Sequence, residues 1–157
     1  MVGTFYLVVN AIAVILFAKY HKRLHALEIL VYWSVSTYLY QNFSALCYMN
    51  FKTLWIPDEW SYAFTHFLNR VVLLPLLMVM FLDLLLALTA LLKKLLLLAV
   101  SVTLLVGMEW LSHYLGVLIH QHWQLWWSFA FWLSALVALA ACMKGFRLLL
   151  YKGGTDW

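Results

Sequence analysis

Two acidic side chains lie deep inside long apolar runs of this 157-residue chain. Asp83 stands in Phe-Leu-Asp-Leu-Leu and Glu109 in Gly-Met-Glu-Trp-Leu. An ionised side chain in hydrocarbon costs at least about 2.5–3.5 kcal/mol on insertion scales, so each carboxyl group needs a partner or a task. Counted at 1.5 Å per residue from Lys93 and Lys94, Asp83 is expected about 15 Å and Glu109 about 22 Å from the membrane boundary at those two lysines. Proton or cation handling is the chemistry that such positions would allow.

The neighbours expected around Glu109 are also polar. His113 follows it by four residues, so the two side chains share a helix face and are predicted to hydrogen-bond. Asn42 is expected at nearly the same depth, and Arg70 could join from the next helix. Two interpretations stay open: a polar functional site in the outer half of the bundle, or a set of groups that satisfy one another and fix helix packing.

Pro75 lies between Arg70 and Asp83 in the same apolar run. Proline has no backbone N–H, so the carbonyl of Val71 loses its usual partner in the helix. We therefore predict a helix kink at Pro75 and a free acceptor at Val71 that a neighbouring helix could use.

Other chemistry finds little support in the motifs. No nucleophile elbow, phosphate-binding loop or dinucleotide fingerprint is present. His120-Gln121-His122 has a spacing of two on a connecting segment, which is a weak metal signal, and polar caps at the membrane interface are the expectation. We expect neither a metal nor a cofactor. Cys47 and Cys142 are predicted to lie a membrane apart and to form no disulfide.

The elements that must position these residues are membrane helices. Hydrophobic residues make up 67% of the chain and charged residues 10%, against roughly 45–50% and 25% in soluble domains. Crossing about 30 Å of hydrocarbon takes about 20 residues. The chain is therefore predicted to be one all-α polytopic membrane helix bundle with five transmembrane helices, at approximately 2–18, 27–48, 70–92, 95–119 and 123–143.

The basic residues predict the orientation. In a five-span arrangement eight of the ten Lys and Arg side chains fall on one side, and only Lys52 and Arg70 fall on the other. Basic residues concentrate on the cytoplasmic side, which predicts an outside N-terminus and a cytoplasmic C-terminus. Lys93 and Lys94 are expected to form the tight turn between the third and fourth spans. Since the basic residues lie between apolar runs, nucleic acid is not an expected partner.

Short motifs also follow one another in a recognisable order along the chain. They are Tyr40 and Asn42, Leu54-Trp55, Pro75, Glu109 with Gly116, and Trp123-Gln124-Leu125-Trp126-Trp127-Ser128. On these motifs the chain resembles a family of small multi-spanning membrane proteins of spore-forming Gram-positive bacteria whose activity is uncharacterised. The resemblance implies the membrane-helix architecture and no particular mechanism.

Three hypotheses for function follow. The first is a non-enzymatic protein of the cytoplasmic membrane that acts as an accessory or structural component, with the lipid bilayer, another membrane protein or a second copy of the chain as partner. The alternative is a small proton or cation transporter or channel component that uses Glu109 and Asp83. The third is a lipid-active enzyme with Glu109 and His113 as acid and base.

Overall fold

The computed structural model describes residues 1–151 as a bundle of helices joined by short connections. Helix α1 spans Val2–Lys19 and α2 spans Ala26–Ala45, which continues as a π-helical segment at Leu46–Asn50. Strand β1 spans Leu54–Trp55 and is followed by α3 at Trp60–Leu68. A second π segment at Asn69–Leu73 joins α3 to α4, which spans Leu74–Ala87. Helix α5 spans Leu91–Tyr114, strand β2 Ile119–His120 and α6 Leu125–Tyr151.

Four stretches are long and apolar enough to cross a membrane: Val2–Lys19, Trp60–Ala87, Leu91–Tyr114 and Leu125–Tyr151. The predicted all-α class is therefore confirmed, with four helices of the length and composition that crossing a membrane requires. The second of these stretches begins ten residues before the third predicted span, which was expected to start at 70, and includes α3, the second π segment and α4. Residues 60–69 thus belong to the same continuous helix.

The turn between α4 and α5 is not where the sequence analysis expected it. Leu88 and Ala90 have extended backbones, so α4 ends at Ala87 and α5 begins at Leu91. Lys93 and Lys94 lie within the first turn and a half of α5 rather than in the connection. Paired charges mark the neighbourhood of a helix end, but the residues that leave the helical conformation determine where the turn lies.

Helix α2 is less apolar than the other helices and buries several polar side chains. Its buried residues recur every four positions, which places them on one face. Helix α2 packs against α4 and α6, while Ser34, Gln41 and Asn42 on its other faces are exposed. The buried stripe consists of Glu28, Tyr32, Ser36, Tyr40 and Ser44.

The core lies between α2, α4, α5 and α6, where Trp132, Leu136, Leu139, Val79 and Leu82 are fully buried. Helix α1 packs against α3 and the π segment beside that core. The bundle has two distinct ends. One carries the antiparallel pair of β1 and β2, and the other carries the α1–α2 and α4–α5 connections.

Candidate functional site

The Glu109 carboxylate lies near the β1–β2 end of the bundle and is held by three side chains. Its Oε1 lies 3.0 Å from His120 Nε2 and accepts a hydrogen bond from Ser128 Oγ at 2.9 Å. Its Oε2 accepts one from Trp132 Nε1 at 2.7 Å. Glu109 is only 6% exposed, and Ser128 and Trp132 are fully buried. Charge-assisted hydrogen bonds of this kind offset much of the cost of burying a carboxylate.

Local backbone geometry brings His120 back over the helix that carries Glu109. Helix α5 ends at Tyr114, and Gly116 follows with a φ of +74°, a left-handed conformation that glycine adopts without steric cost. The reversed chain then forms β2, in which His120 pairs with Leu54 of β1. The neighbouring N–H of Gln121 donates to Thr53 O at 2.8 Å. The connection between α2 and α3 therefore fixes a residue that bonds to α5.

Aromatic rings enclose this group. Trp123 donates its Nε1–H to Ser128 Oγ at 2.8 Å and stacks on the His120 ring, with centroids 5.4 Å apart. On the other side Tyr40 stacks on Trp132 at 5.3 Å. Side chains of β2 and α6 thus bond to a single carboxylate of α5, and Tyr40 of α2 packs against the Trp132 ring. We call Glu109, His120, Ser128 and Trp132 the Glu109 cluster.

Two of the predicted neighbours of Glu109 lie elsewhere. Instead of bonding to Glu109, His113 Nδ1 accepts the backbone N–H of His120 at 3.1 Å and so supports the turn after α5. The predicted Glu109–His113 hydrogen bond does not form, because the chain reversal after α5 brings the His120 imidazole to Glu109 instead. Asn42 is exposed and donates to Tyr38 O of its own helix at 2.7 Å, so it is outside the cluster.

Arg70 and Pro75 both lie on the continuous helix that α3, the second π segment and α4 form. Arg70 is within the π segment, and its buried Nε has no hydrogen-bond partner among residues 1–151. It makes no hydrogen bond to Glu109 within that described part of the chain. The carbonyl of Val71, which Pro75 was expected to leave free, accepts the Trp33 Nε1–H at 2.9 Å. The interruption before Pro75 is therefore used to join this helix to α2.

Asp83 lies at the opposite end of the bundle from Glu109. It is four residues before the end of α4, whereas Glu109 is five residues before the end of the antiparallel α5. Its Oδ1 accepts the backbone N–H groups of Arg23 at 2.6 Å and Leu24 at 2.9 Å. Asp83 is this close to the end of its helix because α4 ends at Ala87, five residues earlier than the predicted 92. Asp83 fastens the α1–α2 connection to α4.

A third buried carboxylate was missed by sequence reasoning. Glu28 is fully buried, and Arg147 of α6 donates to both of its oxygens, at 2.6 and 3.1 Å. Glu28 also accepts the backbone N–H of His25 at 2.9 Å and completes a capping box at the start of α2. The signal available was His-x-x-Glu before an apolar run. Arg147 is one of the eight basic residues from which the orientation of the chain is predicted, and its sequence position does not indicate a partner.

The described residues do not bring together three His, Cys, Asp or Glu side chains that could hold a metal ion. Of the two histidines in His120-Gln121-His122, the first bonds to Glu109 and the second is exposed. The expectation that His120 is an interfacial cap is wrong, since its side chain is only 5% exposed. Both cysteines are free thiols. Comparison of the chain with family models, curated proteins and solved structures finds no match.

Proposed function

We propose that the chain is a non-enzymatic protein of the cytoplasmic membrane that serves as an accessory or structural component of a membrane assembly. The observation that carries this proposal is the use made of the three buried carboxylates. Glu109 joins α5 to β2 and α6, Glu28 joins α2 to α6, and Asp83 joins α4 to the α1–α2 connection. Each carboxylate accepts at least two hydrogen bonds, which ties separate elements into one rigid body.

A five-span topology, with the N-terminus outside and the C-terminus in the cytoplasm, is part of this proposal. Helix α2 with its π segment, residues 26–50, would extend about 37 Å at 1.5 Å per residue, long enough to cross. Glu28, Ser36 and Ser44 of its buried stripe face the protein, so this part of its lower hydropathy is compatible with a membrane helix. The distribution of Lys and Arg, eight against two, supports the orientation.

The outer surfaces of the helices favour lipid or protein partners inside the bilayer. Large apolar side chains are exposed along α1, α5 and α6. The connections between helices are short, so a partner has little else to contact. A second membrane protein or another copy of the chain would dock through these apolar faces by close helix packing.

The test is native mass spectrometry of the tagged chain, expressed in its own cell and released in a mild detergent. A second membrane protein bound at fixed stoichiometry, or a defined homo-oligomer, is the expected result. The matched control is a tagged, unrelated membrane protein of similar size, which should not carry the same companion. A bare monomer under conditions that preserve known membrane complexes would contradict the proposal.

A further inference from the structure

A small internal cavity lies beside the Glu109 cluster, between α2, the α3–π segment and α5. Five of the residues that line it are polar, and they come from three helices: Tyr40, His66, Asn69, Glu109 and Ser112. The cavity leaves about 10 Å³ for the centre of a water molecule. That is about the space that one water needs. Cavities that stay dry are lined by apolar side chains, which is not the case here.

His66 provides the second observation. It is only 6% exposed, and its Nε2 has no hydrogen-bond partner among residues 1–151. A buried polar atom without a partner costs about 1–3 kcal/mol, so such atoms are nearly always satisfied by protein or by water. Because His66 lines the cavity, a bound water is the nearest means of satisfying it.

The backbone explains why space exists at this point. Asn69 and Leu73, at the two ends of the π segment, both line the cavity. A π turn takes an extra residue and widens the helix locally, and such turns recur at functional sites. Asn69 is itself held in place, since its Oδ1 accepts a hydrogen bond from Asn10 Nδ2 at 3.2 Å. The wall of the cavity is therefore built by the fold and does not depend on a mobile loop.

We propose that this cavity is a hydration site in which one water molecule joins His66 Nε2 to the Glu109 side of the cavity. Water fits the polar lining because it can both donate and accept hydrogen bonds. The site extends the Glu109 cluster across to α3, so that β2, α3, α5 and α6 share a single hydrogen-bonded network. A water molecule in this cavity would also bring exchangeable protons close to the Glu109–His120 pair. The inference concerns the interior of the chain and does not depend on a partner protein.

The experiment is water-edited ¹³C NMR on the full chain in lipid nanodiscs, with label only in glutamate. The chain has three glutamates, Glu28, Glu59 and Glu109, so three carboxyl signals are expected, and Glu109→Gln assigns one of them. Magnetisation should pass from water to the Glu109 carboxyl although that residue is only 6% exposed. Exposed Glu59 is the internal reference for rapid transfer. A Glu109 signal that receives no magnetisation from water would overturn the proposal.

Variants of His66 test the assigned partner. His66→Phe keeps a ring of similar shape but removes Nε2, and it should lower the Glu109 transfer rate several-fold. His66→Gln restores a polar atom near the Nε2 position and should recover most of the rate. His122→Asn, at an exposed site on the same end of the bundle, is the matched control and should change nothing. An unchanged rate in folded His66→Phe protein would show that the water does not depend on His66 and would refute the proposal.

Discussion

Replacing Trp132 with phenylalanine isolates one bond of the Glu109 cluster. Trp132 Nε1 is the side-chain donor that reaches Glu109 Oε2, at 2.7 Å, and both residues are buried. Phenylalanine keeps an aromatic ring against Tyr40 but leaves that carboxylate oxygen without its donor. A hydrogen bond to a charged group contributes about 1.5–3 kcal/mol. The smaller ring adds roughly 1–2 kcal/mol of lost packing.

The expected loss in unfolding free energy is therefore about 2.5–5 kcal/mol. For a chain of this size that lowers the melting temperature by at least roughly 5 °C. Thermal unfolding in mild detergent can be followed with a fluorogenic thiol reagent in a Cys142→Ser background. Cys47 then reports opening of the bundle, since it is only 4% exposed in the folded chain.

The matched control is Trp126→Phe. Trp126 is 62% exposed and bonds to the exposed Gln124 on the same helix end, so its loss should stay within about 0.5 kcal/mol. A double-mutant cycle separates the hydrogen bond from ring size. In a Glu109→Leu background the Trp132 N–H has lost its acceptor, so Trp132→Phe should cost at most the packing part. Equal melting temperatures for the two tryptophan variants, or an unchanged cost in that background, would refute the assigned role of Trp132.

Three further predictions concern Asp83, Arg147 and Gly116. Asp83→Ala removes the acceptor for two backbone N–H groups and should cost about 2–3 kcal/mol, whereas Asp83→Asn keeps a carbonyl oxygen and should cost less. The measurement is the rate at which trypsin cleaves the α1–α2 connection. Equal cleavage rates for the two variants would contradict the assigned role of Asp83. Arg147→Ala leaves the Glu28 carboxylate with only the His25 N–H and the Tyr32 hydroxyl as donors. Because the Arg147 side chain is 31% exposed, the loss in thermal unfolding should be about 1.5–3 kcal/mol. A loss below about 0.5 kcal/mol would contradict the assigned pair. Gly116→Ala should lower the unfolding free energy by about 1–2 kcal/mol because the φ of Gly116 is positive. Gly107→Ala, within α5, is the control and should be neutral or stabilising. A larger loss for Gly107→Ala than for Gly116→Ala would contradict the backbone geometry.

The helical class could be predicted from the sequence because apolar runs of about 20 residues have few other uses. Helix ends were harder to predict. Lys93 and Lys94 suggested a turn, but charge is only an indirect sign of where a helix stops, and the extended residues Leu88 and Ala90 are apolar or small. The helix beginning at Trp60 extends beyond the apolar run, so hydropathy alone places its start too late.

The importance of Glu109 could be inferred from its burial cost, but its partners could not. Spacing along one helix favoured His113, whereas the actual imidazole is His120, which comes from beyond the turn at Gly116. Ser128 and Trp132 are four residues apart and share a face of α6, which was a readable signal. Which helix that face meets depends on long-range packing that local patterns do not contain.

Helix α2 is the least apolar of the long helices, and its crossing of the membrane is the central claim about topology. The direct measurement is labelling of single cysteines with a membrane-impermeant maleimide in intact cells, in a Cys47→Ser and Cys142→Ser background. His21→Cys precedes α2 and Phe51→Cys follows it, and both positions are exposed. The account predicts that Phe51→Cys is labelled in intact cells, while His21→Cys is labelled only after the cells are opened. Labelling of both positions from the same side would show that α2 does not cross the membrane and would contradict the five-span account.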